Sequence, residues 1–241
     1  MRVAIHQPHY FPWVGYFDKM AQVDQFILLD QVQFEKGSYM YRNRILSNTG
    51  KVCYLTISAE KHGFLTKEYR EIVTRDNEGW QRKQIAQIEN AYSKSPFFVE
   101  VWNEIEPIFC NDSTKLCDIA IKSIEAIRNV LNIKTKLILQ SSLSYDTHRR
   151  KNDLVLALCK AVGADLYVSG NGARSYMEES AFSDEGIQVA YQKFKPPVYG
   201  QRGTSEFVPG LSMLDMLFNC GIEETKRLFW DNVGREHYYA E

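Results

Sequence analysis

The sequence predicts a three-layer α/β protein on a mainly parallel sheet, with an antiparallel hairpin edging that sheet and an inserted helical segment. Three observations carry this expectation. Short apolar runs at Val3-Ala4-Ile5, Asp24-Gln-Phe-Ile-Leu-Leu-Asp30, Lys136-Leu-Ile-Leu-Gln140 and Asp165-Leu-Tyr-Val-Ser-Gly170 are nearly continuous, the pattern of strands covered on both faces. Stretches of helical spacing separate them, as in β-α-β units. Residues 43–57 are different: they alternate with period two around Asn48-Thr-Gly50, a hairpin signal.

In chain order, the first strand ends at His6 and a helix starts near Pro12, with Trp13, Phe17, Met20 and Ala21 at helical spacing. The second strand completes a β-α-β unit by Asp30. Residues 31–44, rich in donors and aromatics, lie next over the carboxyl edge of the sheet, and the hairpin follows. Residues 60–66 read as a loop carrying His62. From Asn77 to about Asn132 the pattern is helical, broken at Ser95-Pro96 and at residues 111–114, so three helices fit. The last of them, capped by Asp112 or Ser113, places Leu116, Ile119, Ala120, Ser123, Ile124, Ile127 and Leu131 on one face. With no Pro/Gly/Ser-rich linker at either side, residues 77–132 are expected as an insertion within a single domain spanning 1–241. A helix through Leu154, Leu158 and Val162 ends at Gly163. Residues 189–195 read as an edge strand, residues 196–203 as a loop, and residues 213–219 as an apolar helix.

At 241 residues, 44% hydrophobic and 24% charged, the chain can bury a large core. Its 29 Lys and Arg against 30 Asp and Glu leave a formal charge of −1, which excludes a global attraction to nucleic acid. No apolar run approaches the roughly 18 residues of a membrane span, and no secretory leader pattern is seen, so a cytoplasmic location is expected. Cys53, Cys110, Cys117, Cys159 and Cys220 are odd in number and contain no Cys-x-x-Cys pair, which argues against disulfides and a zinc site. They are expected as packing residues, with Cys110 and Cys117, one heptad apart, on a common helix face.

The chemistry concentrates at strand ends, where an α/β sheet places its ligands. His6, Gln7 and His9 bring titratable and hydrogen-bonding groups to the first turn, stiffened by Pro8 and Pro12, with Tyr10 and Trp13 beside them. His6 and His9 are the candidate general bases, because an unperturbed imidazole titrates at about 6.5. Arg42 and Arg44, two apart on an extended segment, share a face. Arg149, Arg150 and Lys151 sit at the start of a helix, where cations are disfavoured unless an anion joins them. Ser169, Gly170, Asn171, Gly172 and Arg174 form a strand-to-helix turn whose glycines permit close approach of a phosphate. Glu206 and Asp215 are candidates for holding an amine.

The stretch His6-Gln-Pro-His-Tyr-Phe-Pro-Trp-Val-Gly-Tyr-Phe-Asp-Lys19 resembles the WbqC-like family, together with Arg42-Asn-Arg44, Tyr167-Val-Ser-Gly170 and Glu206-Phe-Val-Pro-Gly-Leu-Ser212 through Leu217-Phe-Asn-Cys-Gly221. That resemblance runs over almost the whole chain. It implies a part in O-antigen or other surface polysaccharide (lipopolysaccharide) biosynthesis, and a glycyl or other aminoacyl transfer has been suggested for some members. A second resemblance is to nucleotidyltransferase-like, Rossmann-like α/β proteins, whose first strand runs into His-x-Gly-His at the phosphates of ATP. Here the pattern is His6-Gln7-Pro8-His9, with proline in the place of glycine.

The combined expectation is a transferase that adds an acyl or aminoacyl group to the amine of a nucleotide-linked amino sugar. Its partners would be that sugar nucleotide and an activated donor. ATP is a further candidate cofactor, and no metal site is foreseen. Two alternatives stay open: an ATP-dependent nucleotidyltransferase or adenylate-forming amide ligase, and a non-catalytic sugar-nucleotide binding protein.

Overall fold

The computed structural model describes residues 1–60, 63–75, 79–110, 113–175, 177–233 and 238–239. Its main sheet consists of β1 (Arg2–His6), β2 (Gln25–Leu28), β5 (Lys136–Leu139), β6 (Leu166–Ser169), β7 (Gln188–Gln192) and β8 (Tyr238–Tyr239) in the order β5-β2-β1-β6-β7-β8. All neighbours are parallel except β7 and β8. The strands ending at His6, Leu28, Leu139 and Ser169 therefore open on one edge. The chain steps outward from β1 to β2 and β5, then returns across β1 to β6 and β7, which is the doubly wound order with its switch point between β1 and β6.

The alternation of side chains along β1 builds the three layers. Ala4, with Phe26, Leu28 and Val168, faces a large core shared with α1 (Val14–Ala21), α4 (Leu116–Val130), α7 (Met213–Cys220) and α8 (Ile222–Val233). Val3 and Ile5, with Ile27 and Tyr167, face a second core under α5 (Lys151–Ala161) and α6 (Glu179–Ser183). Both faces of the strands are thus covered, which explains their continuous apolar sequence. The helices α2 (Trp80–Tyr92) and α3 (Phe98–Ile105) precede α4, and the α4 face expected from its spacing is buried from Leu116 to Ile127.

Several elements depart from expectation. The hairpin β3 (Arg42–Leu46) and β4 (Val52–Thr56) is a separate two-stranded sheet and does not extend the parallel one. It is joined to the opening turn by the Asn43 side chain, and to the segment before α7 by the Ser212 N–H donating to the Arg44 carbonyl at 2.8 Å. β7 is not an edge strand, since β8 pairs with it in antiparallel fashion. The residue preceding α4 is Lys115; Ser113 donates to Asp118 instead of capping the helix, and Asp112 lies outside the described residues. Cys110 is exposed ahead of α4 while Cys117 is buried within it, so the two share no helix face. The start of the helical segment at Asn77 also lies outside the described residues.

The opening turn is clamped by groups from three distant elements. Phe11 adopts φ of 41°, an unusual conformation for a bulky residue. Its N–H donates to Ser123 Oγ of α4 at 2.9 Å, and its carbonyl accepts from Asn43 Nδ2 at 2.8 Å and from Ser212 Oγ at 2.8 Å. Asn43 Nδ2 also reaches the Tyr10 carbonyl at 3.1 Å, and its Oδ1 accepts from the Arg44 N–H at 2.8 Å. Ser212 in turn caps α7, and Met213 N–H donates to the Pro12 carbonyl at 2.8 Å. On the far side of the turn, Gly15 packs so closely that a Cβ there would lie 2.5 Å from the Trp13 ring. We predict that Asn43→Ala, which removes the side-chain donor to the Tyr10 carbonyl and one of the two donors to the Phe11 carbonyl, lowers the unfolding free energy by about 1–3 kcal/mol in urea titrations.

Candidate functional site

The clamp delivers His6 and His9 to the carboxyl edge beside the switch point. Their ring centroids are 4.5 Å apart and nearly perpendicular. Tyr16 of α1 sits against both, at 4.9 Å from His6 and 5.4 Å from His9, and Tyr39 lies 5.6 Å from His9. His6 Nδ1 is 3.0 Å from the Gln7 carbonyl, which can only accept, so Nδ1 carries the proton and Nε2 the lone pair. The same carbonyl accepts from the Tyr16 hydroxyl at 3.2 Å. His9 is 9% exposed, and its Nδ1 has no hydrogen-bond partner among the described residues.

Lys19 completes the cluster, and no reading of the sequence singled it out for chemistry. It is 3% exposed; its Nζ donates to the Ile5 carbonyl at 3.3 Å and stands 5.7 Å from the centre of the Phe26 ring. Burial pushes the Lys19 amine down to about 7. Burial, and then the Lys19 charge, hold His9 down at about 3 and His6 well below its ordinary value. The assumption of an unperturbed imidazole is thereby corrected: both rings are neutral throughout the neutral range. Spacing concealed Lys19 because α1 is buried nearly all round, from Val14 to Met20, instead of along one stripe. Its neighbour Asp18, fully buried, accepts from Gln192 Nε2 at 2.7 Å.

Other candidates fall into three groups. Next to the histidines is the segment before β3, tied to the turn by the Tyr10 N–H donating to the Tyr39 carbonyl at 2.9 Å. Arg42, at the start of β3, is held on the Gly37 carbonyl at 2.6 Å and over the Tyr54 ring at 4.5 Å, while Arg44 lies near Gly210, where a Cβ would stand 3.5 Å from Nη1. The pair therefore does not converge on one point. Tyr10 is fully buried with its hydroxyl on Gln84, which leaves it to packing and not to the binding role expected of it, whereas Trp13 is partly exposed and packs edge-on against Phe194.

The second group lies beyond β6. Ser169 is fully buried, its hydroxyl on the Gly170 carbonyl, so it does not present itself to a ligand. Asn171 to Ala173 form a 3-10 turn, and the next helix, α6, begins only at Glu179. The expected direct passage from strand to helix is absent here because the intervening residues form that turn and a short connection. A Cβ on Gly170 or Gly172 would meet nothing within 4 Å, so open space borders these glycines. Arg174 is exposed, with its guanidinium 5.2 Å from the Tyr191 ring centre.

The third group surrounds the ends of β2 and β5. A cleft of about 530 Å³ is lined by Gln31, Lys67, Gln140, Tyr145, Arg150 and Lys151, among others. Gln140 Nε2 donates to Tyr145 Oη at 2.7 Å, fixing its polar wall. Arg149 is engaged instead by Asp146 at 3.1 Å, away from this cleft. Glu206 is exposed in a separate hollow of about 650 Å³ with Arg202 and Asn219. Asp215 is no free amine ligand: it is fully buried and accepts from Tyr92, Tyr199 and Gln201 at 2.9–3.0 Å. His62 lies outside the described residues. Among the described residues no cluster of three or more His, Cys, Asp or Glu is placed to hold a metal, and no helix is long and apolar enough to cross a membrane.

Fold and site together define a doubly wound α/β protein with a buried cluster of basic side chains, His6, His9 and Lys19, at its switch point. The chain belongs to the WbqC-like protein family, whose model matches residues 7–227. An uncharacterized protein of Mycobacterium tuberculosis, Rv1507c, is 33% identical over 223 residues, covering 92% of this chain and 95% of that one. No solved structure matches. Family membership points, at most, to a part in polysaccharide-related biosynthesis.

The buried bases make stability depend on pH in a defined direction. A base whose folded pKa is depressed leaves the unfolded chain holding more protons, so stability rises with pH between the two values. For His9 that window runs from about 3 to 6.5, and for Lys19 from about 7 to 10.5. The unfolding free energy should therefore fall in acid, and should still be rising between about pH 7 and 9, by up to about 1.4 kcal/mol per unit. Lys19→Met should abolish the alkaline rise in urea titrations.

Proposed function

We propose that the protein transfers an acyl or aminoacyl group, glycyl being the first candidate, to the amine of a nucleotide-linked amino sugar in surface polysaccharide assembly. The observation that carries this reading is His6, a neutral imidazole in a fixed tautomer with Nε2 free, beside His9 at the switch point. An amine attacking an activated carbonyl becomes acidic only once the new C–N bond has formed. A weakly basic, already deprotonated imidazole is suited to taking that proton. The sugar nucleotide would lie across the ends of β1 and β6, with its diphosphate bordering Gly170, Asn171, Gly172 and Arg174. Gln7, Arg42 and Arg44 would rim the same edge.

A second reading is favoured by the cleft at β2 and β5. Lys67, Arg150 and Lys151 give it three cations, a setting for the phosphates of ATP, so that the donor carboxylate would be adenylated before amide formation. Incubation with ATP, glycine and a nucleotide-linked amino sugar separates the two: release of AMP and pyrophosphate supports the ligase, whereas transfer from a preformed aminoacyl donor without ATP supports the simple transferase. If the sugar nucleotide binds and neither product forms with any donor, a binding protein is the better description.

On the identified substrate, His6→Ala and His9→Ala should each reduce kcat by about 10²–10⁴-fold with ligand binding retained. Near-normal turnover in both would assign the histidines to structure. Arg174→Ala should weaken sugar-nucleotide binding in calorimetry by about 1.5–3 kcal/mol, and unchanged affinity would remove this residue from the site.

A further inference from the structure

We propose that the cleft at the ends of β2 and β5 binds an acidic sugar, a polyhydroxylated ligand that carries one carboxylate or phosphoryl group. This rests on neither reading of the reaction, since the first leaves the cleft without a ligand and the second fills it with ATP. The walls are built from both strand ends. Asp30, just beyond β2, accepts from the Ser141 N–H at 2.9 Å, and the Tyr69 N–H donates to the Val32 carbonyl at 2.8 Å. The hollow of about 530 Å³ thus lies between segments tied to one another, and its size is that of a small-molecule site.

Lys67, Arg150 and Lys151 line this hollow, and among the described residues none of them forms an ion pair with a carboxylate. The one carboxylate of the lining, Glu68, is taken by Arg70 at 2.8 Å. Cations gathered in a cleft without a counter-charge attract an anion. Lys151 also holds a φ of 52°, a left-handed conformation of the kind that clusters at ligand sites. The uncharged wall shows what else the ligand carries. The Gln31 N–H donates to Gln140 Oε1 at 3.3 Å, Gln140 Nε2 donates to Tyr145 Oη at 2.7 Å, and that hydroxyl donates to Gln31 Oε1 at 3.2 Å. This relay orients both amides and leaves the Gln31 Nε2 hydrogens without a partner among the described residues. With Thr147 close by, the wall offers hydrogen bonds to sugar hydroxyls. An adenine is less well served, because Val32 and Leu154 are the aliphatic residues of the lining and Tyr145 is its one ring.

Ligand-observed NMR titration of the intact protein with D-glucuronate, D-galacturonate and D-glucose 1-phosphate, beside D-glucose, inorganic phosphate and ATP, tests this. One of the acidic sugars should bind about tenfold tighter, or more, than both glucose and inorganic phosphate. Preference for a uronate or for the sugar phosphate then tells which anion the cations meet. Lys67→Met should weaken that binding about tenfold. Gln31→Glu keeps an acceptor for Tyr145 but sets a carboxylate where the amide donors stood, so it should abolish binding. Unchanged affinity in either variant, folded as judged by its thermal melt, overturns the proposal. Inorganic phosphate bound as tightly as any sugar marks an adventitious ion only and overturns it too. ATP bound more tightly than every sugar, and weakened in Lys67→Met, gives the cleft to the ligase reading instead. Failure of all three acidic sugars to bind overturns the proposal even if neither variant folds, and leaves the histidine reading untouched.

Discussion

The structure turns on the satisfaction of one residue's backbone. Phe11 holds a left-handed conformation that costs a bulky side chain of the order of 1–3 kcal/mol, and it persists because its N–H and carbonyl are held by Ser123, Asn43 and Ser212. Three otherwise unrelated pieces, the hairpin, α4 and the cap of α7, meet at this point. The turn held at this point is the one that carries His9, whose ring lies 4.5 Å from that of His6. The histidine pair is thus a product of tertiary hydrogen bonding as much as of local sequence.

Burial is the second organising constraint. Two imidazoles and an amine within one desolvated cluster cannot all carry charge, and burial resolves this by holding both imidazoles neutral at pH 7 and bringing the Lys19 amine down to about 7. The cost of removing Lys19 from water is limited because it gives up its proton rather than its position. Asp215 shows the other solution: a buried carboxylate whose pKa is raised by desolvation and moderated by donors from Tyr92, Tyr199, Gln201 and Asn219. One buried ionisable group is furnished with partners and the other is left without a carboxylate.

Much of this was legible in the chain. Buried parallel strands advertise themselves as unbroken apolar runs, so the ends read at His6, Asp30, Gln140 and Ser169 fall at or within two residues of those observed, and with them the common edge. What escaped reading depended on non-local choices. Asn43 looked like an ordinary strand residue, and nothing in its neighbourhood said that its amide would bind a turn 32 residues earlier. Lys19 was hidden because helical periodicity assumes one solvent face, whereas α1 is enclosed on every side. The turn after Ser169 contained the right glycines, but its separation from α6 was set by a 3-10 turn that the Gly-x-Gly spacing does not encode.

The strand order also has a consequence for biosynthesis. Met1 and Asp165, paired where β1 and β6 begin, are 164 residues apart, whereas β2 follows β1 closely. At a translation rate of about 5–20 residues per second, one edge of β1 stays without its partner for roughly 8–30 s on the ribosome. An apolar strand with an open edge is a template for wrong pairing, so the crevice between β1 and β6 comes into being late, after a period in which the nascent chain depends on being shielded.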